Sequence, residues 1–268
     1  MNPSQQEWLY QHSSHDYDLL MTRWKLVAEK AGLELVFLAE PSGYDVIALR
    51  TGGDLGGGDG ALYLSAGVHG DEPAPVWALL EWAEKNLDFL AETNLLILPC
   101  VNPWGLVNNV RLDEEGRDLN RLFENEQLEF FQAWRKLLGE RRFLMSLNLH
   151  EDYDAQGMYV YELGEGERRV AEQVFSDVEV EIPRDRREAV DGRRAAGGII
   201  HHSRGEVRRV VEEDLLGGCP EAIYLFLYHT DLALTFETPS EFAFHQRVGA
   251  QMAFIDGVIC LQRIELRS

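Results

Sequence analysis

The chain has 268 residues, of which 45% are hydrophobic and 26% charged, a composition that suits a soluble globular protein able to bury a sizeable core. Its formal net charge of −21 sets up a field that repels polyanions, so nucleic acid and anionic membranes are excluded as partners. The first fifteen residues lack a basic-then-apolar secretory pattern, no apolar run approaches the roughly 20 residues that span a bilayer, and Cys100, Cys219 and Cys260 form no CxxC. The expectation is a cytoplasmic protein with reduced thiols, Cys100 and Cys260 lying in the core.

In chain order, Leu19, Leu20, Trp24, Val27 and Ala28 fall at helical spacing and predict a helix over 16–31, stopped by Gly32. Leu33 to Leu38 and Tyr44 to Leu49 read as a hairpin across Pro41-Ser42-Gly43. Residues 52–60 hold six glycines but no following Lys-Ser/Thr, which makes them a flexible connector and not a phosphate loop. A strand over 61–66, a helix over 72–86 and a strand over 94–99 follow, then an irregular stretch from Pro103 to Phe123. A helix over 126–138, strands over 143–149 and 158–162, and a helix over 167–176 come next. Strands over 223–228 and 232–237 precede a final helix over 241–266, with Phe244, Val248, Met252, Ile255, Val258 and Ile259 at core spacing. The alternation of strands and helices predicts an α/β fold, residues 1–268 forming a single domain with a loop insertion at about 183–209. That insertion carries eight arginines against four acids, together with His201-His202, and no clear elements; the expectation is that it borders the cleft and helps draw in an acidic or carboxylate-bearing substrate, the alternative being a solvated loop.

Four clusters sit at or near predicted strand ends. His69 and Glu72 occupy a Gly-flanked turn after the 61–66 strand, and His150 closes the 143–149 run. An imidazole and a carboxylate three residues apart can face one point, and with a second imidazole they make a common catalytic zinc set. Arg111 precedes Asn120-Arg121, an amide and a guanidinium suited to a bidentate grip on a carboxylate. Glu237 ends the run from Leu232, where partial desolvation raises a carboxyl pKa toward that of a general base. Taken singly, each has a bland alternative: a chance HxxE, a polar strand end, a helix cap with a surface ion pair, a helix N-cap partner.

The order of these motifs resembles the zinc carboxypeptidase superfamily, including its aspartoacylase and succinylglutamate desuccinylase branch. The resemblance rests on HxxE (His69, Glu72), Arg111, the string Asp118-Leu119-Asn120-Arg121-Leu122-Phe123, His150, and Phe236-Glu237-Thr238-Pro239. It implies a three-layer α/β/α sandwich around a mixed, mostly parallel sheet. It also implies one Zn²⁺ held by His69, Glu72 and His150, with Arg111 polarising the scissile carbonyl. Asn120 and Arg121 would bind the substrate's free carboxylate, and Glu237 would be the base. The tyrosine that many family peptidases place near the substrate amide is not identified; Tyr224 and Tyr228 are candidates. Glu151 and Asp152 are candidates for supporting the ligands or binding a second metal.

The function expected is a zinc-dependent metallocarboxypeptidase that hydrolyses an amide next to a free carboxylate. The compact interval from Glu72 to His150 tilts toward the small bacterial and deacylase branches, so an N-acyl-amino-acid deacylase is the first alternative. A non-catalytic metal- or carboxylate-binding module is the alternative of another class, and Glu237 argues against it. The partner expected is a small peptide or an N-acyl amino acid. Side-chain preference and oligomeric state are left open.

Overall fold

Asp16 starts helix α1 (Tyr17–Ala31) by accepting the Leu19 N–H at 2.9 Å, and Gly32 ends it at φ 68°. Strands β1 (Leu33–Ala39) and β2 (Val46–Thr51) then pair antiparallel, as their alternation predicts. These are the first elements of a computed structural model that describes residues 12–51, 61–165, 169–213 and 218–265. The Gly-rich connector expected over 52–60 lies outside the described residues.

An eight-stranded mixed sheet organises the molecule. Its centre is a run of four parallel strands, β4 (Leu95–Leu98), β3 (Ala61–Ala66), β5 (Phe143–Asp152) and β10 (Leu232–Pro239). The hairpin flanks this run on one side. Strands β6 (Tyr159–Gly164), antiparallel to β10, and β9 (Ile199–His202) flank it on the other. The expected three layers are present. Helices α1, α2 (Pro73–Lys85), α6 (Val170–Val178) and α9 (Phe244–Glu265) cover one face, and α5 (Glu129–Leu138) covers much of the other. No helix among the described residues is long and apolar enough to cross a membrane.

The central strands are buried on both faces, and their alternation decides which residues meet which core. Leu62, Leu64, Leu147, Leu149, Leu234 and Phe236 join the larger core beneath α2 and α9. Their neighbours Ser65, Asn148, His150, Thr235 and Glu237 point the other way. On that second face the apolar core thus gives way to a polar stripe at the carboxyl ends of the strands.

Three expectations are corrected. Residues 223–228 are not a strand but part of helix α8 (Glu221–Tyr228), which begins after Pro220 and buries Ala222, Leu225 and Phe226. A short apolar run carries no period long enough to separate the two, and burial at i, i+3 and i+4 decides for helix. Cys260 is exposed, because its place on α9 turns it away from Ile255, Val258 and Ile259. The segment 183–209 is not featureless: it contains the hairpin β7 (Ala189–Val190) and β8 (Arg193–Arg194), edge strand β9, and the start of α7 (Arg204–Glu213). Smaller adjustments are a short helix α4 (Pro103–Asn108) in the stretch read as irregular, and three further residues on β5, which keep His150 and Glu151 inside the strand.

Candidate active site

The turn after β3 is shaped by its glycines. Gly67 adopts φ 68°, and a Cβ on Gly70 would fall 1.9 Å from the Gly105 carbonyl carbon, so only glycine lets the two loops touch. Val101 and Asn102 donate to Ala66 and Gly67, which zips the chain after β4 onto this turn. His69 and Glu72 are thereby delivered to the mouth of the parallel strands, opposite His150.

The three predicted ligands converge. His69 Nδ1 lies 2.6 Å from Glu72 Oε1, and His150 Nδ1 lies 3.0 Å from Glu72 Oε2. All three ligand atoms fall within 4.8 Å of one another, and all three residues are buried. Burial opposes charge on His69, but Glu72 and Asp118 outweigh it and raise its pKa to about 9. Burial likewise opposes charge on Glu72, yet the two imidazoles hold it well below the usual carboxylate range. Two imidazoles around one buried carboxylate, open to a cleft on one side, match the donor set and open geometry of a catalytic zinc site.

Arg111 sits beside this cluster, its Nη2 3.2 Å from Asp118 Oδ2 and its Nη1 3.6 Å from Glu72 Oε1. Asp118 also reaches His69 Nε2 at 3.2 Å and accepts the Asn120 N–H, capping the 3-10 turn that carries Asn120 and Arg121. Asn102 donates to the Arg111 and Leu112 carbonyls and fixes the backbone that presents the guanidinium. Glu237 pairs in register with His150 on β5 and Tyr159 on β6, so the three side chains share one face. Burial pushes the Glu237 pKa up to about 8; His150 opposes this, while Glu72, Asp152 and Asp191 add to it.

All seven predicted site residues line a single cleft of about 260 Å³. On its far wall the border expected of 183–209 is present, whereas two tyrosines were not foreseen. Tyr159 and Tyr161 stand on β6, their hydroxyls donating to Asp152 and Asp191. Arg193 and His202 come from the 183–209 segment, and Leu163, Val207 and Ile223 form an apolar floor. Tyr224 and Tyr228 do not line the cleft: Tyr224 packs on Trp134, and Tyr228 is exposed and donates to Glu124. Most described arginine pairs of 183–209 are local, Arg184 with Glu172 and Glu179, Arg186 with Glu179, Arg187 with Asp185.

Of two supports of the ligands, Glu151 was a candidate from the sequence and Gln251 was missed. Glu151 donates its N–H to Glu72 Oε2, and its side chain accepts from Ala74 N–H and Arg247. Burial raises the pKa of Glu151 to about 7, against the pull of Arg247. Gln251 donates to the His150 carbonyl at 2.7 Å and holds the strand from α9. The signal available in sequence was a polar residue at alternate positions of an apolar run, as at Ser65 and Asn148.

Residues 59–144 match the family model of the succinylglutamate desuccinylase/aspartoacylase catalytic domain. The match spans His69, Glu72, Arg111, Asn120 and Arg121 and stops short of His150 and Glu237. A protein of Shewanella amazonensis assigned as a metallopeptidase superposes with a TM-score of 0.77 at 23% identity, covering 92% of this chain and 94% of that one. The fold that the resemblance implied is thus shared. A metallo-carboxypeptidase of Burkholderia cenocepacia shares the carboxypeptidase-like fold at TM-score 0.64 and 16% identity, over 92% of this chain and 68% of its own. The carboxypeptidase A of Helicoverpa armigera does so at TM-score 0.62 and 14% identity, over 91% and 72%. No curated protein matches the chain in sequence. In this carboxypeptidase-like frame, the branch whose model matches is the aspartoacylase and succinylglutamate desuccinylase one.

Proposed function

We propose that the protein is a zinc-dependent metallocarboxypeptidase of the cytoplasm, cleaving the amide next to the free carboxylate of a small peptide. The observation that carries this reading is the buried His69–Glu72–His150 set opening into a cleft that Glu237, Arg111, Asn120 and Arg121 also line. His69, Glu72 and His150 would hold one Zn²⁺, which supplies Lewis acidity that polarises a carbonyl and acidifies water.

The chain's own groups do the rest. Asn120 and Arg121 anchor the free carboxylate and set the scissile amide over the ligand cluster. Arg111, oriented by Asp118, donates to the oxyanion that develops as water attacks; losing one such donor typically costs about 2.7–4 kcal/mol. Glu237 takes the proton of the attacking water on a carboxylate oxygen and hands it to the leaving amine. Its raised pKa serves both halves of that transfer, since the same group must first accept the proton and then give it up.

The second reading is an N-acyl-amino-acid deacylase, supported by the family model over 59–144. The same residues serve it, because its substrate also places an amide beside a free carboxylate. Metal analysis of the purified protein, followed by a screen of free-acid peptides against N-acyl amino acids, separates the two by the ratio of turnover. Amidating the terminal carboxylate should cost on the order of 2–5 kcal/mol in transition-state binding. Equal cleavage of acid and amide would sink the anchor role of Asn120 and Arg121. A zinc-loaded protein silent on both substrate classes would leave the non-catalytic module.

A further inference from the structure

Glu221 is a buried carboxyl that the proposed chemistry does not use. It is 1% exposed, lies under the cleft at the start of α8, and its neighbours Pro220 and Ala222 line the cavity. Two short chains of hydrogen bonds end on it. Trp134 Nε1 donates to the Tyr63 hydroxyl at 2.9 Å, which donates to Glu221 Oε1. Asn148 Nδ2 donates to Ser65 Oγ at 2.8 Å, which donates to Glu221 Oε2 at 2.9 Å. Each hydroxyl has one proton. Because each already accepts from a neighbouring N–H, that proton is aimed at Glu221. Both oxygens of the carboxyl are therefore met by donors, an arrangement that fits a carboxylate and not an amide. Burial pushes its pKa up, while Tyr63 and Ser65 pull against that.

The backbone around Glu221 grips the loop that carries the proposed anchor. Its N–H donates to Asn120 Oδ1 at 3.0 Å. Cys219 N–H donates to the Arg121 carbonyl at 3.0 Å, and Phe123 N–H donates to the Cys219 carbonyl at 3.1 Å. With its oxygen occupied by Glu221 N–H, the Asn120 amide turns its NH₂ group away, and Asn120 lines the cleft. The side chain of Glu221 ties this clamp to β3 at Tyr63 and Ser65, just before Gly67 and the ligand turn.

We propose that Glu221 is a positioning residue for substrate carboxylate binding: anchored on Tyr63 and Ser65, it holds Asn120 and Arg121 in the orientation that receives an anion. This rests on the reading of Asn120 and Arg121 as the anchor. Glu221→Gln keeps the shape but sets an NH₂ donor against two hydroxyl donors, so one arm must break and leave a buried donor without a partner.

The test is calorimetric binding of a panel of N-acetyl amino acids and their amides to zinc-loaded wild type, Glu221→Gln and Tyr63→Phe, with zinc content and melting temperature measured on each. Wild type should prefer the acids. Glu221→Gln should lose about tenfold of that preference, with affinity for the amides and zinc content unchanged. Tyr63→Phe, which removes one donor and keeps the ring, should lose part of the same preference and decides the matter if Glu221→Gln does not fold. A purely structural role would lower the melting temperature and weaken acids and amides alike, and would overturn the proposal. So would an undiminished preference in both variants. A wild type that binds acids and amides equally would instead overturn the anchor reading itself, and this proposal with it.

Discussion

The parallel-strand wall of the cleft and the region around β6 and β9 both carry a pair of histidines and several arginines, and they use them differently. On the parallel-strand side, His69 and His150 are each 3% exposed and share one carboxylate, Glu72. On the β6–β9 side, His201 and His202 are partly exposed, and burial lowers their pKa toward the neutral form. Arg111 lies between two site carboxylates, whereas Arg184, Arg186 and Arg187 are matched by acids of their own neighbourhood. Among the described residues, only His69, Glu72 and His150 form a group able to hold a metal. Residue type is therefore not what makes the site. Parallel strands end together, and the turns that leave them bring side chains from distant segments to one buried point. Around the edge strands the arginine pairs cited are local and lie outside the cleft lining.

The sharpest way to break this comparison is to remove imidazoles from each wall in turn. His69→Ala combined with His150→Ala should abolish stoichiometric zinc and all turnover, whereas His201→Ala with His202→Ala should leave zinc content at wild-type level. Elemental analysis of the purified variants reads both, and zinc retained by the first pair would end the metal assignment. Next in size is Glu237→Gln. It should lower turnover by about 10²–10⁴-fold with metal content unchanged, the range for a positioned general base. Loss of zinc in this variant would make Glu237 a ligand instead.

A third test concerns the buried charges of the parallel-strand wall. His69 has its folded pKa raised from 6.5 to about 9, and Glu237 from 4.5 to about 8. A raised folded pKa stabilises the fold below the unfolded value, and that contribution is lost as pH rises through the folded value. For Glu237 the loss runs from 4.5 to about 8, and for His69 from 6.5 to about 9, so both act in the same sense. The metal-free protein should melt at progressively lower temperature from pH 6.5 to 9, and zinc, replacing the His69 proton, should flatten that slope. A metal-free melting temperature that rose over this interval would contradict the pairing. The smallest effect belongs to the edge wall. Arg193→Ala should lower kcat/KM by less than about tenfold and weaken its fall with added salt, because a half-buried cation lining the cleft away from the ligand cluster steers more than it binds. Arg186→Ala, whose side chain pairs with Glu179 away from the cleft, should change neither.

Much of this wall-to-wall contrast is legible in the chain. The runs 61–66, 143–149 and 232–237 are apolar enough to be central strands, and the residues that end or follow them are polar. Helix α1 is readable from its spacing, with Gly32 as its stop. The run 223–228 was misread because five or six apolar residues fit a buried strand and a buried helix equally well. The tyrosines of the far wall were unreadable for another reason: Tyr159 and Tyr161 acquire their place only when β6 joins the sheet beside β10, a long-range pairing with no local mark.

Sequence alone determined the identity and order of the ligand, anchor and base candidates, because turn glycines, strand-length apolar runs and the residues that end them are local features. It also determined the charge balance, a formal −21, whose field repels polyanions. Tertiary structure decided what those residues do together. Register put Glu237 beside His150, the contact of Gly70 with Gly105 brought the two loops together, and Glu221 came to lie beneath Asn120, 101 positions away in the chain. Such contacts arise from the packing of segments against one another, and neither period nor propensity encodes them.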